Sequence, residues 1–509
     1  MSRDRTPQQE EVIRFSTQED QHLMIRARAG TGKTFVLESV ARALPARERT
    51  ITMAFNKENA RELQTRVPSY VIAKTFHGLG FDALRRVWGR GLKPNRDRQR
   101  QLIERIVPLK TPNRFSVMAQ VARATSLAMN ALAQTSEEVF ALLLDHDIVI
   151  EPGVEPQSFV NWVLDTMVAS LVKTDAPSFD DMIYVPAALG WPTGVYRNLL
   201  VDEGQDTNNA QTALVRNACA DNGRIRVFGD DRQALYHFRG AGHGQFDLLK
   251  SDINADERPL TWTFRCPERV VILAQAIVSD YQVAPGADRG EVRWRTEADL
   301  LRDARYGDVV ISRTNYGCVR VCMALLRRGR RARIVGKNFA EELLRLVDRS
   351  GVDTVPALLE WLDTWVFLEV ERLIALRRED RADAIRDAAE ALREISANAA
   401  GVFAIAEFRR TISDLLEGED TSNCVLITTV HKAKGLEWPR VWLIESTFNV
   451  RNTEGENCYY VGVTRARESL FLVSMPQANG RTPGSIAREL LDENTIREWE
   501  ADDNERPRR

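Results

Sequence analysis

The run Ala27-Arg28-Ala29-Gly30-Thr31-Gly32-Lys33-Thr34 has residue types and spacing suited to holding a triphosphate. Glycines let backbone N–H groups wrap phosphate oxygens, and a following helix turns its positive end toward them. The lysine reaches the β and γ phosphates, and the threonine hydroxyl ligates magnesium. Ala29, Gly30, Thr31, Gly32, Lys33 and Thr34 are therefore the candidate nucleotide contacts. Two positions depart from the general pattern. Ala27 stands where glycine is expected, and Arg28 brings a long cation where a small residue is usual, which changes the loop's electrostatics. A glycine-rich turn closing an ordinary strand–helix unit is the bland alternative; the strand before and the helix after favour the phosphate reading.

Asp202 and Glu203 end the apolar run Asn198–Val201. Two acids at the carboxyl end of a buried strand lie where open α/β sheets bind ligands. One acid can hold magnesium through water, while the other accepts a proton from the attacking water. Thr34 and Asp202 are the residues assigned to the metal. Gln205 and Asp206 follow closely enough to sense a bound nucleotide. A third strand ends at Gly229, and Gln233 in the next loop can reach a γ-phosphate or the attacking water. Alone, an acidic pair is often a helix cap and a loop glutamine is usually solvated; the three together make the catalytic reading.

These side chains need strands to aim them. Thr6, Pro7 and Gln9 give the start signals of a first helix. Strand patterns follow at 23–27, 50–55 (TITMAF), 70–74 (YVIAK), 198–202 (NLLVD) and 224–229 (RIRVFG). Further strand patterns lie at 308–312, 332–335, 424–429, 440–444 and 469–474, with helical patterns between most of them. Strands alternating with helices imply α/β architecture, with parallel sheets covered on both faces. The stretches 86–175 and 341–420 read instead as helical insertions, the first with basic runs such as 94–105 (PNRDRQRQLIER).

Composition sets the outer bounds. At 509 residues, with 44% hydrophobic and 28% charged residues, the chain is an ordinary globular sequence with material for several cores. The formal charge of -2 excludes a generally basic nucleic-acid binder, so any such site is a local groove. Six cysteines without a CxxC pair do not make a disulfide scaffold, and Cys318 and Cys322 read as one face of a helix. No signal-peptide pattern and no run long enough to span a membrane is visible, so the expectation is a cytoplasmic protein without a membrane partner.

In order along the chain, these motifs resemble the UvrD/Rep branch of superfamily 1 DNA helicases. That branch writes its phosphate loop AxxGxGKT, which accommodates Ala27, and its acidic motif DExQD matches Asp202, Glu203, Gln205 and Asp206. Further matches are 75–78 (TFHG), 230–241 (DDRQALYHFRGA), 260–265 (LTWTFR), 429–438 (TVHKAKGLEW) and 460–466 (YVGVTRA). The segments 54–57 (AFNK) and 457–466 (NCYYVGVTRA) lean toward the F-box DNA helicase subgroup. The resemblance implies two RecA-like motor domains, 1–85 with 176–258 and 259–340 with 421–495. Helical insertions at 86–175 and 341–420 interrupt them, and a polar tail covers 496–509.

The resemblance also implies roles. Gln8 would read adenine, Phe264 stack on it, Arg265 touch the γ-phosphate and Glu437 meet the ribose. Arg465 would be an arginine finger, completing from the second domain a nucleotide held by the first. Phe55, Phe76, His77, Tyr236, Phe238, Arg239, His431 and Lys434 would face DNA; the commonplace alternative for each aromatic is core packing. A metal role for His77 or His431 lacks a partner at ligand spacing. The implied activity is ATP- and Mg2+-dependent movement along single-stranded DNA or into a 3′-tailed duplex, with 3′-to-5′ polarity. The second insertion is shorter than is typical of such proteins, so the competing reading is an ATP-gated DNA-binding switch or complex subunit that hydrolyses ATP without processive unwinding. A small-molecule kinase is disfavoured, because it has no use for the aromatic strings.

Overall fold

A computed structural model describes residues 5–146, 148–235, 244–335, 337–375, 379–399, 401–416, 423–476 and 483–505. The chain divides into two compact units. The first comprises residues 1–28 and 32–260, the second residues 29–31 and 261–509.

The first unit is built on six strands: β1 (Leu23–Ala27), β2 (Thr50–Ala54), β3 (Val71–Thr75), β4 (Tyr196–Val201), β5 (Cys219–Gly229) and β6 (Asp256–Leu260). They form one sheet in the order β3-β2-β4-β5-β1-β6, and every pair is parallel. β2 is buried at every position, as a strand covered by helices on both faces must be. The helix Pro7–Gln18 starts with Thr6 and Gln9 in a reciprocal capping box and Pro7 in its first turn. Between β3 and β4 the chain is helical from Phe76 to Ala188, around a separate core that includes Val121, Phe159 and Val163. This run is longer than the 86–175 insertion expected from composition. Its outermost helices, Phe76–Trp88 and Phe179–Ala188, also contribute Phe76, Leu79, Ile183 and Ala187 to the core under the sheet. Those helices serve two cores, so no change of composition marks the boundary.

The second unit repeats the plan. After the short strands β7 (Trp262–Thr263) and β8 (Gln282–Val283) come β9 (Glu291–Thr296), β10 (Val309–Ser312), β11 (Ala332–Ile334), β12 (Val425–Thr429), β13 (Trp438–Ile444) and β14 (Ala466–Ser474). Their order is β11-β12-β10-β13-β14-β9, again parallel throughout. Four helices, Lys337–Ser350, Val355–Ala375, Glu379–Asn398 and Ile405–Leu416, lie between β11 and β12. They share one core with the sheet, in which Leu358, Leu392 and Phe408 join Val310 and Trp442. Cys318 and Cys322 are buried in that core, as the helix-face reading expects, and both are free thiols.

Within the two large sheets, the strands without a sequence signal are β6 and β9. Each is the outer strand of its sheet, and their sequences, DERPL and EVRWRT, carry the charges and proline that an edge tolerates. The α/β class, with two parallel sheets each interrupted by helices, is the architecture expected.

Candidate nucleotide and nucleic-acid site

In the first unit, topology alone brings the chemistry together. β4, β5 and β1 are neighbours, and Val227 of β5 pairs with Met24 on one side and Val201 on the other. Their carboxyl ends therefore share one sheet edge, which carries Lys33 after β1, Asp202 after β4 and the Gln233 loop after β5. Gly32 caps the helix Lys33–Ala43 in a left-handed conformation (φ 82°), with no side-chain hydrogen bond to the helix end. An uncapped first turn opening after a glycine is the local geometry that phosphate oxygens occupy.

The Lys33 ammonium lies 2.5 Å from Glu203 Oε1 and 3.2 Å from Asp202 Oδ1. Burial works against its charge, but the two carboxylates outweigh burial and hold its pKa above the usual value. Asp202 titrates above the usual carboxylate range because burial and Glu203 outweigh the Lys33 attraction. Its N–H donates to the Met53 carbonyl (3.0 Å). Glu203 sits at φ 53°, a left-handed backbone that is uncommon for a residue with a Cβ and that accompanies the sharp turn at the strand end.

From Glu203 a polar circuit continues. Gln205 Nε2 donates to Glu203 Oε2 at 2.5 Å, and Gln205 Oε1 accepts the Asp230 N–H at 3.1 Å. Asp230 Oδ2 in turn accepts Gln233 Nε2 at 2.7 Å. Lys33, Glu203 and Gln233, three residues expected to act on the nucleotide, are thus joined through Gln205 and Asp230. Of the two glutamines near the amino terminus, Gln8, the expected adenine reader, is half-buried. Gln9 is buried, and a Cβ added at Gly32 would lie 3.1 Å from its amide nitrogen. Its Oε1 accepts the Thr6 N–H at 3.2 Å, so the side chain serves the capping box that the sequence signalled.

The second unit holds the other candidates. Residues 29–31 belong to it: the Ala29 N–H donates to the Tyr460 hydroxyl (3.0 Å), and its carbonyl accepts from the Tyr281 hydroxyl (2.9 Å). Gly30 presents its carbonyl to the Phe264 N–H at 2.9 Å. With φ 71°, and with a hypothetical Cβ only 2.4 Å from Arg265 Cβ, this position requires glycine. The Phe264 ring is exposed. Arg265 Nε donates to Glu437 Oε2 at 2.6 Å, so the two residues expected to meet γ-phosphate and ribose pair with each other here. Arg465, immediately before β14, is fully buried. Its Nε donates to the Val461 carbonyl (2.8 Å), Nη1 to the Leu436 carbonyl (3.0 Å) and Nη2 to Thr464 Oγ1 (3.1 Å). Burial and the nearby Arg265 guanidinium push its pKa down to about 10.

The residues expected to face DNA divide. Phe76 is a correction: its side chain is buried in the core with Met53, Leu79 and Leu214, where no base can stack on it. His77 is half-buried and meets the Phe179 ring edge-on at a centroid distance of 6.3 Å. Burial and then Lys57 lower its pKa. Phe55, at the end of β2, and Lys434 are half-buried. Tyr236, Phe238 and Arg239 lie outside the described residues. His431 follows β12, and burial, Arg313 and Lys434 push its pKa down to about 4. The fold also gives His431 neighbours that spacing could not reveal. Its ring, the Glu454 carboxylate and the Cys458 thiol come within 4.8 Å of one another. A cation already answers this cluster, because Arg313 Nη2 lies 3.2 Å from Glu454 Oε1.

Comparison with known proteins agrees with this geometry. A model of the UvrD/REP helicase N-terminal domain matches residues 5–254, and one of the UvrD-like helicase C-terminal domain matches residues 351–477. The ATP-dependent DNA helicase Rep of Escherichia coli (strain K12) is 26% identical over 303 residues, 54% of this chain and 43% of the relative. The ATP-dependent DNA helicase PcrA of Bacillus subtilis (strain 168) is 27% identical over 302 residues, 54% of this chain and 39% of the relative. The ATP-dependent DNA helicase UvrD1 of Mycobacterium bovis (strain ATCC BAA-935 / AF2122/97) is 27% identical over 346 residues, 60% of this chain and 42% of the relative. The chain thus spans about two fifths of the length of these curated relatives. No described helix is long and apolar enough to cross a membrane. With two domain models of one family together covering most of its length and the phosphate loop, acidic pair and glutamine on one sheet edge, this chain belongs to the UvrD/Rep helicase family.

Proposed function

We propose that this protein is an ATP-dependent DNA translocase and helicase that moves 3′ to 5′ along single-stranded DNA. The observation carrying the proposal is the circuit from Lys33 through Glu203 and Gln205 to Asp230 and Gln233. It joins a phosphate-binding lysine to an acid able to take a proton and to a glutamine able to orient water. Lys33 arrives paired with two carboxylates, so incoming phosphate oxygens exchange for them. That exchange frees Glu203 to accept the proton of the attacking water, while Gln205 keeps its carboxylate oriented.

Thr34 and Asp202 suit magnesium: one hydroxyl in the first turn of the helix and one buried carboxylate at a strand end make a hard oxygen set. When bound, the ion would neutralise charge on the phosphates. Gln8 is proposed, on the family resemblance, to read the adenine. The roles of Phe264, Arg265, Glu437 and Arg465 rest on the family resemblance. DNA contacts are proposed for Phe55, His77, His431 and Lys434, and for Tyr236, Phe238 and Arg239, which lie outside the described residues. The protein is expected to work in the cytoplasm.

Lys33→Ala tests the nucleotide chemistry: DNA-stimulated ATP hydrolysis should be lost, and unchanged turnover would defeat the proposal. A displacement assay on a 3′-tailed duplex, with a 5′-tailed control, separates unwinding from the alternative of an ATP-gated switch. The short helical run Lys337–Leu416 keeps that alternative in play. Opening of the 3′-tailed substrate alone is the expected result.

A further inference from the structure

The residue least suited to a phosphate loop is Arg28. An extra guanidinium there would ordinarily be read as another phosphate ligand. The structure turns it elsewhere, within the first unit. Arg28 is buried, and its Nη1 lies 3.1 Å from Asp230 Oδ1 and 2.7 Å from Asp231 Oδ1. Asp230 is itself buried, and its two oxygens are divided: Oδ1 takes Arg28 and, at 3.2 Å, the Arg232 N–H, while Oδ2 takes the Gln233 amide at 2.7 Å. Asp231 is held from a second side by Arg26, at 2.9 Å. The circuit from Lys33 therefore closes on its own loop. Five positions before Lys33, Arg28 grips the carboxylate on which Gln233 hangs.

Burial raises the Asp230 pKa against the Arg28 attraction, and the cation is what makes a buried charged carboxylate tolerable at that place. A carboxylate with one oxygen fixed by a guanidinium holds its other oxygen in a defined direction. We propose that Arg28 is a positioning residue, which fixes the Asp230 carboxylate so that Gln233 is aimed for phosphoryl chemistry. The inference rests on the proposed role of Gln233 and goes beyond it, because it assigns a function to a loop residue that touches no reacting atom. Its ligand is the protein's own carboxylate pair, and the nucleotide needs no direct contact with it.

A double-mutant cycle tests this on the full chain. Wild type, Arg28→Gln, Gln233→Ala and the double variant are compared for ATP hydrolysis with saturating oligo-dT and for binding of a fluorescent ATP analogue. Losing a charged hydrogen bond of this kind is expected to lower kcat about tenfold. Analogue affinity should stay within about twofold, as expected when the lost interaction is not a ligand contact. In the Gln233→Ala background the same Arg28 change should move kcat by less than about twofold, because residues acting as one unit are not additive. Arg28→Lys, which keeps the charge, should recover part of the rate. Without nucleotide, hydrogen exchange over 230–235 should quicken in Arg28→Gln and stay unchanged over 425–429 in the second unit.

Equal loss of kcat in both backgrounds would overturn the proposal. So would an unchanged kcat, or a large loss of affinity at constant kcat, which would make Arg28 a phosphate ligand. Should Arg28→Gln fail to fold, Arg28→Lys runs the same cycle with the same criterion of non-additivity. Absence of ATP hydrolysis in wild type would instead count against the enzymatic reading itself, since the exchange experiment does not depend on turnover.

Discussion

Lys33 is a stored charge held between Asp202 and Glu203, so a change there has two effects. Lys33→Ala removes the phosphate cation and also leaves two adjacent acids without their partner. The variant should lose hydrolysis, and its carboxylates should titrate higher than in wild type, which infrared spectroscopy of the carboxyl band can follow. His431 makes a second residue-scale prediction. Its folded pKa of about 4 lies below the ordinary 6.5, so folding favours the neutral imidazole. The associated stability is whole above pH 6.5 and declines as pH falls toward 4. A proton-NMR titration should place the His431 midpoint below 5, close to that value; a midpoint near 6.5 would mean that burial and Arg313 do not act on the ring as described. At neutral pH the proposed DNA contact of His431 would be made by an uncharged ring, leaving Lys434 as the proposed cation of that motif.

Among the elements, the helix pair Phe76–Trp88 and Phe179–Ala188 joins the first sheet to its helical insertion, and it depends on one close approach. A Cβ at Gly80 would stand 1.8 Å from the Met182 carbonyl oxygen. Gly80→Ala should therefore destabilise the first unit by about 1–3 kcal/mol or more, as overpacking does, measured by denaturant unfolding. A neutral or stabilising result would show that the helices can part without cost. In the second unit, Asp387 of the insertion accepts the N–H groups of Asn315 and Tyr316 at the start of the helix Asn315–Arg327 (2.8 and 2.7 Å). Burial raises its pKa to about 6. Asp387→Ala should cost about 1–2 kcal/mol, the usual size of a lost helix cap, while Asp387→Asn, which keeps one acceptor, should cost less.

Elements were also where the sequence was most and least readable. Central strands such as Thr50–Ala54 announce themselves because both faces are buried, so every position is apolar or small. The edge strands Asp256–Leu260 and Glu291–Thr296 do not, because water and charge are tolerated along one side. Site residues followed a parallel rule. The placing of Lys33 and Asp202 on one sheet edge was legible because one opens a readable helix and the other ends a readable strand, and Gln233 followed as part of the short turn after β5. Phe76 was misread because an aromatic at the start of a helix looks the same whether it faces DNA or the core. The Glu454 and Cys458 neighbours of His431, and the Arg28 grip on Asp230, were hidden because they come from distant segments joined only by the parallel topology.

For the whole molecule, a net charge of -2 means that nucleic acid cannot be held by general attraction. In the proposed function, binding comes from stacking rings and a few placed cations, a grip with little sequence preference. In that function the grip is coupled to ATP. The coupling is tested most directly by ATP hydrolysis in the wild-type chain with and without single-stranded oligo-dT, alongside Lys33→Ala. The account predicts strong stimulation of the wild type by DNA and no hydrolysis in the variant under either condition. Hydrolysis indifferent to DNA, or surviving the loss of Lys33, would contradict it.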